Sequence, residues 1–236
     1  MTANLVFLLL FVALSCWAVN ALVVWVPLRL AEEERAESNL TTYWSVLVGF
    51  RLAGILSFAV VALQVAVFAL CYWRLGPGVP LIVWAIFYWA LIALAAIDLK
   101  TTFLPDILTL PLLWLGLVIQ LWPASRTVGP ELAIAGAVLG YLPLYLLAQA
   151  FLAVRKREGL GFGDLKLVAA IGAWIGPWPL PWILVIASLA ALVWAGVQAL
   201  SGRKGLMQSE FPFGPWIALA TFAFAISGMI RTPVGG

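Results

Sequence analysis

The sequence predicts an all-α, polytopic integral membrane protein with about eight transmembrane or partly embedded helices, and three observations carry that prediction. The chain of 236 residues is 65% hydrophobic and 10% charged, whereas soluble domains carry about 25% charged residues. Its mean hydropathy is +1.10. Apolar runs near the ~20 residues needed to cross a bilayer recur along the chain, and the longest polar segment between them is only Arg29–Thr42.

In chain order the expected spans are roughly 5–28, 45–72, 79–97, 104–122, 131–153, 165–176, 180–200 and 213–230. The opening MTANLVFLLL has no basic stretch ahead of its apolar run, so it is expected to be a retained first span rather than a cleaved leader. The sixth run is too short to cross a bilayer straight and contains Gly172. It is expected to be tilted, buried by neighbours or only partly embedded. An outside N-terminus puts Arg29, Arg35, Lys100, Arg155, Lys156, Arg157, Arg203 and Lys204 in cytoplasmic loops, against Arg74, Arg126 and Arg231 outside. The positive-inside rule favours that orientation. Arg51 and Lys166 fall just inside spans on the same cytoplasmic side.

Composition also removes several kinds of chemistry. There is no histidine, so Ser/His and Cys/His nucleophile pairs and His-based zinc sites are excluded. Cys16 and Cys71 lie within apolar runs and form no C-x-x-C pair, which suggests filler rather than a metal or disulfide site. The net charge of +3 is spread over scattered residues, not concentrated as a nucleic-acid footprint, and no nucleic-acid partner is expected.

What acid–base chemistry remains rests on carboxylates. The chain has three aspartates, Asp98, Asp106 and Asp164. Asp98 closes the third span in LIALAAIDLK and Asp164 opens the sixth in GLGFGDLKL. Two complete spans separate them, and an even number of crossings returns the chain to the same face. A carboxylate at a span edge is either a helix-end residue in contact with water or a functional group. Two of them on one face shift the balance toward function, because close carboxylates tend to share a proton. One then serves as base toward water while the other polarises a carbonyl.

The neighbouring residues read more plainly. Gly161 and Gly163 would let a peptide or a second helix approach the backbone around Asp164. Lys166 either supports Asp164 electrostatically or extends to headgroups. Asp106, after Pro105, suits the first turn of a helix. Phe213, Gly214 and Pro215, in FPFGPW, are either a Pro/Gly entry into the last span or irregular backbone beside the site, contacting substrate.

AAIDLKTTFLPDILTLPLLWLGL at 95–117, GLGFGDLKLVAAIGAWIG at 159–176 and FPFGPWIAL at 211–219 together resemble the bacterial prepilin peptidases. These are the type IV leader peptidases, G-x-G-D membrane aspartic proteases. The resemblance implies catalysis by Asp98 and Asp164, with Gly161, Gly163, Lys166 and Lys100 in support. It also implies cleavage of the basic leader of prepilins or pseudopilins at the cytoplasmic face of the bacterial inner membrane, for a type IV pilus or a type II secretion system. Lys100 stands where the family often has an acid, which alters electrostatics but not the catalytic pair.

Many members also methylate the new N-terminus with S-adenosylmethionine and hold zinc in a cysteine-bearing loop. Here that loop is cut to Arg29–Thr42 and contains no cysteine, so no zinc or other metal is expected. The family's G-S-F-L-N stretch survives only as Cys16–Asn20, and methylation with S-adenosylmethionine stays open. Residues 1–75 accordingly read as a reduced two-helix remnant of the methyltransferase region, and 76–236 as the peptidase core, which needs no cofactor. A non-catalytic assembly subunit and a proton-coupled transporter are the alternatives. The oligomeric state is not legible.

Overall fold

The computed structural model describes residues 54–123, 126–156, 160–200 and 211–226, together with 12–14, 17–19, 21 and 23. Among the described residues there is no strand. Most of the expected first span, and the polar segment Arg29–Thr42, lie outside the described residues; those described in the first span are helical. Seven helices follow: α1 Gly54–Leu75, α2 Val79–Thr101, α3 Asp106–Ile119, α4 Pro130–Arg155, α5 Phe162–Ile175, α6 Leu180–Leu200 and α7 Gly214–Ile226. Three of these, α2, α4 and α6, are long and apolar enough to cross a membrane, and the chain is an all-α membrane protein.

The helices fall into two compact units, Met1–Thr101 and Thr102–Gly236. That boundary follows packing, whereas the division after residue 75 expected from the sequence follows a difference in activity. In the first unit α1 packs on α2 through an aromatic belt. Phe68 stacks on Trp89 with ring centroids 5.9 Å apart, and the Trp89 indole N–H donates to the Gln64 backbone carbonyl at 3.3 Å. Trp84, Phe87 and Tyr88 form contiguous ring contacts along α2.

The second unit is organised around α5. This helix has 14 residues, a rise of ~21 Å at 1.5 Å per residue, well short of the ~30 Å hydrocarbon core. It survives that shortfall by being covered. Leu165 and every residue from Leu167 to Ile175 are buried, with α4 and α3 packed against them. Of the outcomes expected for the short sixth run, burial by neighbours is the one observed.

Close approach of α4 and α5 depends on glycine. Gly136 and Gly172 face each other so tightly that a Cβ on either would run into the other's backbone carbonyl. At Gly140 an added Cβ would lie 2.8 Å from the Val168 carbonyl oxygen. Gly136 and Gly140 are four apart on one face of α4, the small-xxx-small spacing by which helix backbones meet in membranes. By contrast α4 and α6 turn large apolar side chains outward, with Leu146, Leu192 and Val193 exposed, as a lipid-facing surface requires.

Candidate active site

Asp98 lies in the last turn of α2 and is 3% exposed. Both facts run against a carboxylate. Burial removes its hydration, and the C-terminal end of a helix carries partial negative charge. The neighbouring Lys100 is exposed in the same last turn, where a cation complements the dipole. Thr101 closes the turn by donating its hydroxyl to the Ile97 carbonyl at 2.9 Å, and Thr102 leaves the helix with φ of 52°.

In the second unit, Asp164 sits in the first turn of α5, against the positive end of that helix. Gly161 is the N-cap in extended conformation, and the Asp164 amide donates back to its carbonyl at 3.2 Å. The carboxylate itself folds over this turn: a Cβ placed on Gly161 would lie 3.4 Å from Asp164 Oδ2. Gly163 has a different reason to be glycine. A Cβ there would come within 2.8 Å of the Leu104 Cβ, so the missing side chain lets the segment before α3 lie on the first turn of α5.

Lys166 joins the same two segments. Its ammonium contacts both carboxylate oxygens of Asp106, at 2.6 and 2.7 Å. Asp106 therefore has two roles, the first-turn acid of α3 that the sequence suggested and the ion-pair partner of Lys166. Sequence reasoning took the two charges one at a time. Yet the crossing count that puts Asp98 and Asp164 on one face also puts Asp106 and Lys166 there, so the pairing was available.

The opposite end of α5 holds a polar cluster that sequence reasoning missed. Gln120, 1% exposed, accepts the backbone N–H groups of Thr127, Val128 and Gly129 through Oε1 at 3.0, 3.1 and 3.3 Å. Its Nε2 donates to the Thr127 hydroxyl at 2.8 Å, and that hydroxyl donates to the Trp174 carbonyl at 2.6 Å. The Trp174 indole in turn donates to the Leu112 carbonyl at 2.8 Å, over the space left by Gly116. The one signal was an amide, Gln120, at the end of an otherwise apolar run.

Phe213, Gly214 and Pro215 form the entry to α7. Residues 211–213 precede the helix, Gly214 begins it, and Trp216 and Ile217 donate their amides to the Phe213 carbonyl at 3.1 and 3.2 Å. Proline in this first turn gives up an amide that has no helical acceptor. Among the described residues, no group of three or more Cys, Asp or Glu side chains could hold a metal ion.

Comparison with known proteins bears on both units. The type IV leader peptidase family matches residues 85–196, a stretch that contains Asp98 and Asp164. The chain is 43% identical over 164 residues to the prepilin leader peptidase/N-methyltransferase of Dickeya chrysanthemi, covering 68% of this chain and 54% of that protein. It is 46% identical over 131 residues to the protein of that name from Burkholderia pseudomallei strain 1026b, covering 55% and 41%. The Escherichia coli K12 protein of the same name is 39% identical over 187 residues, covering 78% of this chain and 81% of the relative. The chain spans about half the length of the first two relatives. No solved structure matches it. With four-fifths of the Escherichia coli relative's length accounted for at that identity, the chain belongs to the type IV leader peptidase family.

Proposed function

We propose that this protein is an aspartic endopeptidase of the bacterial inner membrane that removes the basic leader of prepilins or pseudopilins, with Asp98 and Asp164 as its catalytic pair. The observation that carries the reading is the cost of burying Asp98, taken together with the setting of Asp164. One carboxyl is buried at the negative end of α2, and the other sits in the glycine-flanked first turn of a helix too short to span. Membrane proteins keep acids in such settings for function. Only the short segment Leu99–Pro105 separates Asp98 from Asp106 in sequence. Asp106 is bound to Lys166 at the start of α5, which supports the crossing count that puts both aspartates on the cytoplasmic face, with the N-terminus outside.

In this mechanism one carboxylate takes a proton from water as the water oxygen attacks the scissile carbonyl carbon. The other, protonated, donates a hydrogen bond to the carbonyl oxygen. Collapse of the tetrahedral species breaks the C–N bond, and the proton passes to the departing amine. Lys166 with Asp106 and Gly163 with Leu104 hold the turn that presents Asp164. Residues 213–215 are candidates for substrate contact.

The relatives' names pair the peptidase with an N-methyltransferase, so methylation of the new N-terminus by S-adenosylmethionine is part of the proposal. Arg29–Thr42, where the family's zinc-holding loop is cut short, lies outside the described residues. The test is mass spectrometry of a prepilin incubated with the detergent-purified protein and S-adenosylmethionine. Unmutated protein is expected to release the leader. Asp98→Asn and Asp164→Asn, which keep shape but cannot act as base, are each expected to lower cleavage by at least ~10³-fold, the scale of losing an essential catalytic group. Substantial cleavage by both single variants would sink the assignment, and a methyl mass on the product would establish the second activity.

A further inference from the structure

We infer that Thr127 is a positioning residue for the reaction. Its hydroxyl, oriented by Gln120, fixes the C-terminal end of α5 and with it the depth at which Asp164 is presented. The inference rests on the reading of Asp164 as a catalytic carboxylate.

The argument begins with what holds α5 along its axis. Its contact with α4 brings Val168, Ala169 and Gly172 against Gly136 and Gly140, a close steric fit that sets the spacing of the two backbones. At the N-terminal end Gly163 packs on Leu104, and one ion pair, Lys166–Asp106, ties the first turn through side chains that are 27% and 54% exposed. Long, hydrated side chains of this kind hold position weakly. Two directional bonds, one buried and one part-buried, lie at the other end, on Trp174. Its carbonyl is among the last four of the helix, which lack an amide donor within the helix, and the Thr127 hydroxyl supplies one at 2.6 Å.

Thr127 cannot drift, because its own backbone amide and hydroxyl are both bound to the buried Gln120 side chain. Gln120 Nε2 lies 3.5 Å from the Ala173 and Trp174 carbonyls, so the short link to α5 runs through Thr127. A straight helix transmits an axial shift undiminished, and the rise from Asp164 to Trp174 is ~15 Å. A displacement of ~1 Å at a reacting group is enough to cost ~10²-fold in rate.

The experiment compares Thr127→Val, which keeps the shape and loses the hydroxyl, with Thr127→Ser, which keeps the hydroxyl. Single-substrate kinetics on a prepilin should show kcat of Thr127→Val down by ~10- to 100-fold, with KM within about twofold, and kcat restored in Thr127→Ser. Unchanged kcat in a folded Thr127→Val protein overturns the inference. So does failure of Thr127→Ser to restore it. If Thr127→Val does not accumulate, Thr127→Ala removes the same hydroxyl and is read by the same criteria.

A second readout does not need cleavage. With Cys16 and Cys71 replaced, Phe162→Cys places a thiol on the exposed first residue of α5. Its maleimide labelling rate should change in Thr127→Val and return in Thr127→Ser, and an unchanged rate counts against the inference. Absence of cleavage by the unmutated protein, with the labelling shift present, would instead overturn the peptidase reading and leave the axial tie standing.

Discussion

The consecutive helices α5 and α6 are both apolar and are joined by a short turn, yet they are built to opposite specifications. α5 has 14 residues, rich in alanine and glycine and buried from Leu167 to Ile175. α6 has 21 residues, and only 11% of its most apolar window is buried; Leu192 and Val193 are 69% and 67% exposed. Both satisfy the bilayer's demand for apolar side chains, so hydrophobicity alone does not separate them. Helix length does, and so does the use made of small residues, since Gly172 meets the Gly136 backbone whereas a Cβ on Gly196 of α6 would meet nothing within 4 Å. Small residues permit backbone contact with neighbouring helices, and a helix covered by its neighbours need not match the membrane's thickness.

The strongest way to break the contrast is to give α5 a side chain where it has none. Gly172→Val would drive a branched side chain into the Gly136 backbone, where no rotamer change relieves the clash. We expect a cost of ~3 kcal/mol or more, seen as loss of folded protein in detergent extracts or a large fall in thermal midpoint. A midpoint within a few degrees of the unmutated protein would show that α4 and α5 are not in backbone contact.

A milder test acts at the exposed end of α5. Lys166→Met removes the ion pair with Asp106, and because both partners are partly hydrated the expected loss is ~0–1 kcal/mol. The difference between variant and unmutated protein should shrink as salt is raised from low to high concentration in thermal unfolding. A salt-independent loss of several kcal/mol would mean that the pair is more enclosed than its exposure indicates. Smallest of all should be Leu192→Ala on α6. Its side chain leaves one apolar medium for another, so stability in detergent should stay within about 0.5 kcal/mol, measured by the same unfolding assay.

The helix inventory of the described region was legible in the sequence because apolar length is a strong signal, and the limits of α2, α4 and α6 fall close to those expected. The ends of α3 were less legible. Its apolar pattern runs on past Ile119, but the chain turns at Gln120, whose amide is used to bind the next turn rather than to extend a span. Asp98 and Asp164 stood out because acids are rare in apolar surroundings and a crossing count relates them. Lys166 and Asp106 obey the same count and were not paired, because each has a satisfactory local reading as a helix-end charge. Thr127 carried no signal at all. Its importance arises from a hydrogen bond to a backbone carbonyl 47 positions along the chain, and no local pattern encodes such a partner.

The short length of α5 also bears on how a helix can stop inside a membrane. The final carbonyls of a helix ordinarily end in water, and hydrocarbon offers them no substitute. Gln120 and Thr127 act here as built-in solvent, supplying the donors that interfacial water would otherwise provide. Capped by its neighbours in this way, α5 can end after 14 residues, and its first turn, the one bearing Asp164, lies at the opposite end from that cap.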